Sequence, residues 1–201
     1  LNPLAVSSID IAMWDGYAKH YRKPLFEVLG KKRDKIKSYA STPLFHSIEE
    51  YINFVKDLLS QNFQTIKFHT WCELEFDLEM VSQVCPQFPE IEFMIDCEQR
   101  YLRDDALHLG RKLDELKFIW LEAPFNDYDW ESYKWLREKI ATPVLGAGNS
   151  LLNPFEIDQS LKEDVFHHAR FDTTYVGGIT QALKIMRIAT KYNKNTELQS
   201  W

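Results

Sequence analysis

The fold is decided by Ile91-Glu92-Phe93-Met94-Ile95-Asp96, in which five strand-like residues run directly into a carboxylate. A hydrophobic strand that ends at an acid delivers that acid to the rim of a sheet, because burying the charge deeper without a partner costs several kcal/mol. We therefore expect Asp96 to lie where a buried strand meets solvent.

The same pattern recurs along the chain at nearly regular distances. The polar residues that follow strand-like stretches are Lys67, Asp96, Glu122, Asn149, Asp172 and Gln199, and neighbours in this series are 23 to 29 residues apart. The spacing indicates a repeating unit of one strand and one helix. Such alternation predicts parallel strand pairing, because a parallel connection needs a crossover and a helix supplies it.

Hydrophobic periodicity places the individual elements. The predicted strands are 36–41, 64–69, 91–96, 117–121, 143–146, 168–172 and 196–200. The predicted helices are 4–17, 47–59, 75–85, 103–115, 129–139, 153–161 and 178–192. The first helix carries Ile9, Met13 and Tyr17 at helical spacing and is expected to be buried, and Ser47 with Glu50 matches a capping box.

Seven predicted parallel strands are compatible with a doubly wound open sheet or with a barrel. Polar residues at the end of nearly every strand favour the barrel, whose catalytic rim collects the carboxyl ends of many strands. The predicted fold is thus α/β, a TIM-like barrel in one domain over residues 1–201, incomplete because an eighth strand is missing. The abrupt start and end suggest an interior piece of a longer protein.

Composition narrows the classes of function. The 201 residues are 45% hydrophobic and carry a net charge of -6, which gives no support for a nucleic-acid or anionic-membrane partner. Three cysteines, an odd number, argue against a disulfide framework and favour a reducing, cytoplasmic compartment. We recognise neither a long apolar run nor a signal-peptide pattern.

On a barrel, the polar strand ends converge on one mouth. Three oxygen ligands from consecutive strands, Asp96, Glu122 and Asn149, suit Mg²⁺, and the lack of histidine or cysteine in that set favours a hard divalent ion over zinc. The alternative is that each residue caps the following helix and binds no ion.

Lys67 and His69 are two residues apart on one strand, so their side chains point to the same face. On the inner face, the lysine would lower the pKa of His69 by like-charge repulsion and keep it neutral as a base. On the outer face, they would be a plain basic pair. Glu98 and Arg100 follow Asp96 at the same spacing and could bind substrate hydroxyls or pair with each other.

Gly177-Gly178 precedes a predicted helix and would leave amide donors for a carboxylate or a phosphate. A plain turn explains the two glycines equally well. Four further histidines have no supporting neighbours and are interpreted as surface or core residues. They are His46, His108, His167 and His168.

Several motifs in this order resemble the enolase superfamily, in its mandelate racemase and muconate lactonizing branch. They are Ala5-Val6-Ser7-Ser8-Ile9-Asp10-Ile11-Ala12-Met13-Trp14-Asp15, Pro24-Leu25, Lys67-x-His69, Ile95-Asp96, Trp120-Leu121-Glu122-Ala123-Pro124, Ala147-Gly148-Asn149 and Gly177-Gly178-Ile179-Thr180. The resemblance covers essentially the whole chain. It implies a modified (β/α)₇β barrel completed by a separate N-terminal capping domain that closes the site.

The resemblance also implies abstraction of the proton α to a substrate carboxylate, with Mg²⁺ stabilising the resulting enediolate. The three metal positions fall on Asp96, Glu122 and Asn149, the last in place of the usual glutamate. His69 stands where the second lysine of a Lys-x-Lys pair is usual. Asp172 retains one member of an Asp–His dyad, whereas Gln199 occupies the histidine position.

These departures discriminate between reactions. Racemisation with two bases needs a proton acceptor on each face of the carbon, and the chain clearly offers one only on the Lys67 and His69 side. A dehydratase needs one such group, so we expect a Mg²⁺-dependent sugar-acid dehydratase, a lyase. His69 is the expected base, Lys67 and Asp172 complete the catalytic set, and Glu98, Arg100 and Gln199 are expected to contact substrate.

Two alternatives remain open from the sequence. One is a racemase or epimerase that uses Asp172 or a group from outside this chain on the second face. The other is a non-catalytic binding protein, motivated by the asparagine and glutamine departures. The expected partner is a small carboxylate substrate, and the resemblance implies a homo-oligomer.

Overall fold

The computed structural model describes residues 2–199. The helices are α1 (Pro3–His20), α2 (Leu25–Val28), α3 (Ile48–Ser60), α4 (Leu74–Val84), α5 (Arg103–Leu116), α6 (Trp130–Arg137), α7 (Pro154–Lys162) and α8 (Ile179–Lys191), with a short 3-10 helix at Cys85–Gln87. The strands are β1 (Ala40–Ser41), β2 (Thr65–His69), β3 (Glu92–Asp96), β4 (Trp120–Glu122), β5 (Val144–Leu145), β6 (Ala169–Asp172) and β7 (Thr196–Gln199).

The chain divides into two units. One runs from Ser38 to Ala147, and the other comprises the chain up to Lys37 and from Gly148 onward. The Ser38–Ala147 unit holds a five-stranded parallel sheet in the order β1-β2-β3-β4-β5. Strand order that follows chain order, without a reversal, is typical of a barrel and differs from a doubly wound sheet.

The two faces of this sheet carry different kinds of side chain. Phe68 and Phe93 stack with ring centroids 5.0 Å apart, and Phe118 packs on Phe93 at 6.1 Å, which makes one face a continuous aromatic layer. The opposite face carries an apolar cluster of Met94, Trp120 and Leu145. Because side chains alternate along a strand, the polar strand ends at positions 67, 69, 96 and 122 share the face of that cluster.

In the other unit, β6 pairs in parallel with β7, and Asp172 is in register with Gln199. Helix α1 packs on α8 in the same unit. The predicted strand 196–200 is confirmed over Thr196–Gln199, and Ser200 lies outside the described residues.

The prediction that the first helix is buried is wrong. Ile9, Met13 and Tyr17 are 63%, 70% and 51% exposed. The side that meets α8 instead carries Ser7, whose hydroxyl accepts a hydrogen bond from the Gly177 N–H at 3.0 Å. Helical periodicity identifies an apolar stripe, and in this chain the polar side of α1 makes the contact with α8.

Two strands begin at least three residues later than predicted. The predicted strand 36–41 is reduced to Ala40–Ser41, and Ile36 is 74% exposed. The predicted strand 117–121 begins only at Trp120, because Lys117 is the left-handed C-cap of α5 with φ 58°. The capping box at α3 is confirmed, since the side chains of Ser47 and Glu50 each accept the other's backbone N–H.

No helix within residues 2–199 combines the length and the apolar character needed to cross a membrane.

Candidate active site

Strand register brings three predicted site residues side by side. His69 is opposite Asp96 in the β2–β3 pair, and Asp96 is opposite Glu122 in the β3–β4 pair. All three end their strands, so they meet at the carboxyl edge of the sheet. The predicted convergence of these positions is therefore present within one unit.

Lys67 lies between the two acids. Its ammonium nitrogen Nζ is 3.0 Å from Asp96 Oδ2 and 3.0 Å from each carboxylate oxygen of Glu122. All three residues are buried, with Glu122 only 1% exposed. The expectation that Asp96 lies at the solvent boundary is wrong, because the lysine charge compensates both carboxylates and makes their burial tolerable.

The imidazole of His69 has a fixed orientation. Its Nδ1 is 2.9 Å from the carbonyl oxygen of Thr42, and its Nε2 is 3.4 Å from Asp96 Oδ2. A carbonyl can only accept, so Nδ1 carries the proton and Nε2 of the neutral ring carries a lone pair. The side chain is 25% exposed, which leaves Nε2 within reach of a small molecule.

The pKa of His69 is raised, although the sequence led us to expect it lowered. Burial and the charge of Lys67 do lower this pKa, but the Asp96 carboxylate that faces Nε2 raises it by hydrogen bonding and by charge, and the net shift is upward. Burial by itself raises the pKa of Asp96, but His69 and Lys67 hold that pKa well below its usual range. The carboxylate is therefore ionised throughout the neutral range.

Two residues that sequence reasoning missed hold the backbone of His69. The Tyr51 hydroxyl donates to the His69 carbonyl oxygen at 2.6 Å, and the His69 N–H donates to Thr42 Oγ1 at 2.9 Å. The Tyr51 phenol is fully buried, so its hydroxyl needs a polar partner. This need for a polar partner is the sequence signal that could have identified Tyr51.

Asp77 links the segments that follow β2 and β3. Its Oδ2 accepts from the Thr70 hydroxyl at 2.9 Å and from the Tyr101 hydroxyl. The side chain is fully buried, and burial raises its pKa to about 6 although the two hydrogen bonds lower it. The sequence signal was an acid in register with the buried positions Met80 and Val84 of α4.

Glu98 and Arg100 lie just beyond Asp96. The Glu98 N–H donates to Asp96 Oδ1 at 3.1 Å, and the Glu98 side chain is exposed. Ligand-capable atoms of His69, Asp96 and Glu98 lie within 4.8 Å of one another. Arg100 is exposed, and its N–H donates to the Cys97 carbonyl oxygen at 2.9 Å.

Asn149, Asp172 and Gln199 belong to the other unit. Asn149 is half-buried, and its Oδ1 accepts from the Ser150 hydroxyl at 3.3 Å. Asp172 Oδ1 accepts from both the N–H and the hydroxyl of Thr174 at 2.6 Å. The Gln199 Oε1 is buried and has no hydrogen-bond partner within residues 2–199. Participation of these three residues in metal or substrate binding stays a prediction.

The helix-capping alternative is not supported for the predicted metal ligands. The N-cap residues of α5, α6 and α7 are Leu102, Asp129 and Asn153. Asp96, Glu122 and Asn149 therefore do not occupy these positions.

One amide donor that follows Gly177-Gly178, the Thr180 N–H, already has a partner. The Asp10 carboxylate accepts from the Thr180 N–H at 3.0 Å and from the Thr180 hydroxyl at 2.5 Å. A Cβ on Gly178 would lie 2.4 Å from Asp10 Oδ2, so glycine is required for this close approach. A carboxylate does bind at this helix N-terminus, as the motif suggested, but it comes from the chain itself.

Known proteins match most of this chain. The model of the family Enolase C-terminal domain-like matches residues 50–201. The L-talarate/galactarate dehydratase of Salmonella typhimurium (strain LT2) is 30% identical over 194 residues, which are 94% of this chain and 48% of that protein. The N-succinylamino acid racemase of Thermus thermophilus is 28% identical, over 71% of this chain and 38% of that protein.

A solved structure of D-glucarate dehydratase from Agrobacterium tumefaciens, complexed with magnesium, aligns with a TM-score of 0.94 and 29% identity. The alignment covers 99% of this chain and 56% of that one. The chain spans about half the length of the first curated relatives it matches. The predicted fold class, an incomplete TIM-like α/β barrel, is confirmed by these matches.

Proposed function

Because the chain belongs to the Enolase C-terminal domain-like family, we propose that it carries the catalytic residues of a Mg²⁺-dependent dehydratase that acts on a sugar acid. The names of the Salmonella and Agrobacterium proteins support a sugar-acid substrate and dehydration. The observation that carries the proposal is the cluster of Lys67, Asp96 and Glu122 with His69 beside it, at the carboxyl ends of adjacent parallel strands.

The carboxylates fit a hard cation. Asp96 and Glu122 already converge on one positive group, the Lys67 ammonium, at 3.0 Å from each. Carboxylate oxygens are the ligands that Mg²⁺ prefers, and the family resemblance adds Asn149 as the third. When bound, Mg²⁺ would supply positive charge to stabilise the negative charge that develops on the substrate.

His69 is the proposed base. With its Nδ1 proton committed to Thr42, the neutral ring presents Nε2 as the proton acceptor. After proton transfer, the Asp96 carboxylate stabilises the imidazolium, which can return the proton to the departing β-hydroxyl. Lys67 is proposed to neutralise the substrate carboxylate, and Glu98, Arg100 and Gln199 are proposed to bind substrate hydroxyls.

The pairing of Asp172 with Gln199 favours dehydration over racemisation. The two residues are in register on β6 and β7, the positions at which the resemblance places an Asp–His dyad. A glutamine amide does not accept a proton at neutral pH, and Asp172 Oδ1 already binds two donors of Thr174. The pair of Asp172 and Gln199 is therefore a poorer proton acceptor than His69.

Exchange of the substrate α-proton tests the proposal. The full-length protein with Mg²⁺ is incubated in D₂O with a panel of sugar acids, and deuterium incorporation at the α-carbon is followed by NMR in single turnover. We expect exchange or dehydration to a 2-keto-3-deoxy acid with at least one substrate, and its loss in His69→Ala. Intact exchange in this variant would show that His69 is not the base.

The products separate the rival functions. An epimer instead of a keto acid would establish the racemase or epimerase alternative. Calorimetry with MgCl₂ addresses the binding-protein alternative, because a full-length protein that binds no Mg²⁺ cannot perform the proposed chemistry.

A further inference from the structure

We propose that His69, Asp96 and Glu98 form a second divalent-metal site, selective for Zn²⁺ and similar ions over Mg²⁺, whose occupation blocks the proposed base. The site shares Asp96 with the Asp96, Glu122 and Asn149 set and differs from it by its nitrogen ligand. Imidazole nitrogen suits zinc, cobalt and copper ions, whereas Mg²⁺ prefers oxygen. Zinc binding at this site does not depend on the proposed function. Inhibition by zinc does, because it requires His69 to be the base.

The geometry of the first two ligands matches zinc. Two ligand atoms about 2.0–2.1 Å from a tetrahedral zinc ion are about 3.3–3.4 Å apart. His69 Nε2 and Asp96 Oδ2 are 3.4 Å apart. The backbone of His69 is held by Thr42 and Tyr51, so this pair is preorganised.

The hydrogen bond of Nδ1 to Thr42 leaves Nε2 as the ring nitrogen available to a cation. The Thr42 carbonyl fixes that proton, so the neutral ring directs a lone pair toward an Asp96 carboxylate that is itself an acceptor. The Lys67 ammonium, 3.0 Å from the same Asp96 Oδ2, already supplies part of the positive charge that this contact needs, and a proton or a metal ion at Nε2 would supply the rest. Donation of the second ring N–H to a carbonyl is also the usual support of a metal-binding histidine.

Glu98 supplies the third ligand and the required charge. A carboxylate oxygen of Glu98 lies within 4.8 Å of the other two ligand atoms, and its exposed side chain can close the remaining distance by rotation. The Lys67 ammonium is shared between Glu122 and Asp96 and offsets only one of the three negative charges of Asp96, Glu98 and Glu122. Asp96 and Glu98 then leave a local surplus of negative charge for a dication.

Titration calorimetry of the metal-depleted full-length protein with ZnCl₂ tests the site. We expect one zinc per chain in the tightest class, about tenfold weaker binding in Glu98→Gln, and loss of that class in His69→Ala. His46→Ala is the control, because His46 lies on the segment after β1 and stacks on Trp71. Unchanged zinc binding in both His69→Ala and Glu98→Gln would overturn the proposal.

A measurement on the unmutated protein guards against variants that do not fold. Modification of His69 by diethyl pyrocarbonate, located by mass spectrometry, should be suppressed by ZnCl₂ and not by MgCl₂. Equal modification with and without zinc would also overturn the proposal. A protein that shows zinc protection of His69 but no substrate exchange would contradict only the proposed function.

Discussion

The Asp10 carboxylate caps the N-terminus of α8 by accepting two hydrogen bonds from Thr180, a residue 170 positions away in sequence. The indole N–H of Trp14 donates to the same Thr180 hydroxyl at 2.9 Å. Helix α8 has no side-chain cap of its own, since its N-cap residue is Gly178. Helix α1 thus supplies the side-chain cap that α8 lacks.

Asp10→Ala should destabilise the protein by about 1–2 kcal/mol, the usual cost of losing a capping side chain. The change leaves the Thr180 N–H without its carboxylate partner and removes a negative charge from the helix N-terminus. Urea denaturation followed by circular dichroism measures the difference. Asp15→Ala is the matched control on α1, because it removes only an exposed ion pair with Lys19. Equal losses in the two variants would contradict the capping role.

The repeat and the register were predictable because both follow from local patterns. A strand that ends in a polar residue every 23 to 29 positions can be read directly from the sequence, and parallel pairing then aligns Asp96 with Glu122. The buried state of those acids was not predictable in the same way. It depends on the reach of the Lys67 side chain across two strands.

The direction of the His69 pKa shift also could not be predicted from local sequence patterns. Sequence spacing identifies the neighbour on the same strand, Lys67, which lowers the pKa. The neighbour across the sheet, Asp96, becomes visible only in the register, and its effect outweighs that of the lysine. The exposed apolar side of α1 has a similar cause, because periodicity does not say which face meets another element.

Lys67→Met tests how much the lysine charge stabilises the buried carboxylates of Asp96 and Glu122. Removing one partner of a buried ion pair leaves carboxylates uncompensated and typically costs about 3–5 kcal/mol. Because Asp96 and Glu122 would then lack their cation, Mg²⁺ should bind this variant more tightly than the unmutated protein and raise its Tm by more. Thermal denaturation with and without MgCl₂ measures both effects.

Lys112→Met is the control for the lysine substitution. Lys112 pairs with Glu115 on the surface of α5, so its loss should change stability only slightly and leave the response to Mg²⁺ unaltered. If Mg²⁺ stabilised Lys67→Met and Lys112→Met equally, the two buried carboxylates would not be the metal ligands.

Asp77 should make stability depend on pH between about 4 and 6. Its pKa is raised to about 6 in the folded protein by burial, whereas an unfolded chain has the ordinary value of about 3.9. In this window the folded state holds a proton that the unfolded state releases, so stability falls as the pH rises. Asp77→Asn cannot titrate in this way. Its free energy of unfolding, relative to that of the unmutated protein, should therefore rise by about 2–3 kcal/mol between pH 4 and pH 7.

Urea denaturation of both proteins at the two pH values gives this difference, and titration of other groups cancels in the comparison. Glu75→Gln is the control, since Glu75 is exposed on the same helix. A difference between Asp77→Asn and the unmutated protein that stays constant with pH would show that Asp77 is not held protonated.

Tyr51→Phe should separate the support of His69 from general stability. The substitution keeps the aromatic packing and removes the hydroxyl that donates to the His69 carbonyl at 2.6 Å, at a cost of about 1 kcal/mol for the lost hydrogen bond. Because a base must be positioned accurately to accept the α-proton, exchange with solvent deuterium should slow more than this loss of stability explains.

The suitable comparison is Tyr133→Phe, which removes a similar buried hydrogen bond, from the Tyr133 hydroxyl to the Phe125 carbonyl at 2.8 Å. Both variants should lose similar stability in urea, since each leaves one buried carbonyl without its donor and removes one longer hydrogen bond, from the Phe45 N–H to the Tyr51 hydroxyl at 3.4 Å or from the Tyr133 hydroxyl to Asp127 Oδ1 at 3.3 Å. Only Tyr51→Phe acts on the residue that carries the proposed base, so only it should reduce the exchange rate at saturating substrate. Equal exchange rates in the two variants would mean that the hydroxyl of Tyr51 stabilises the fold without positioning His69.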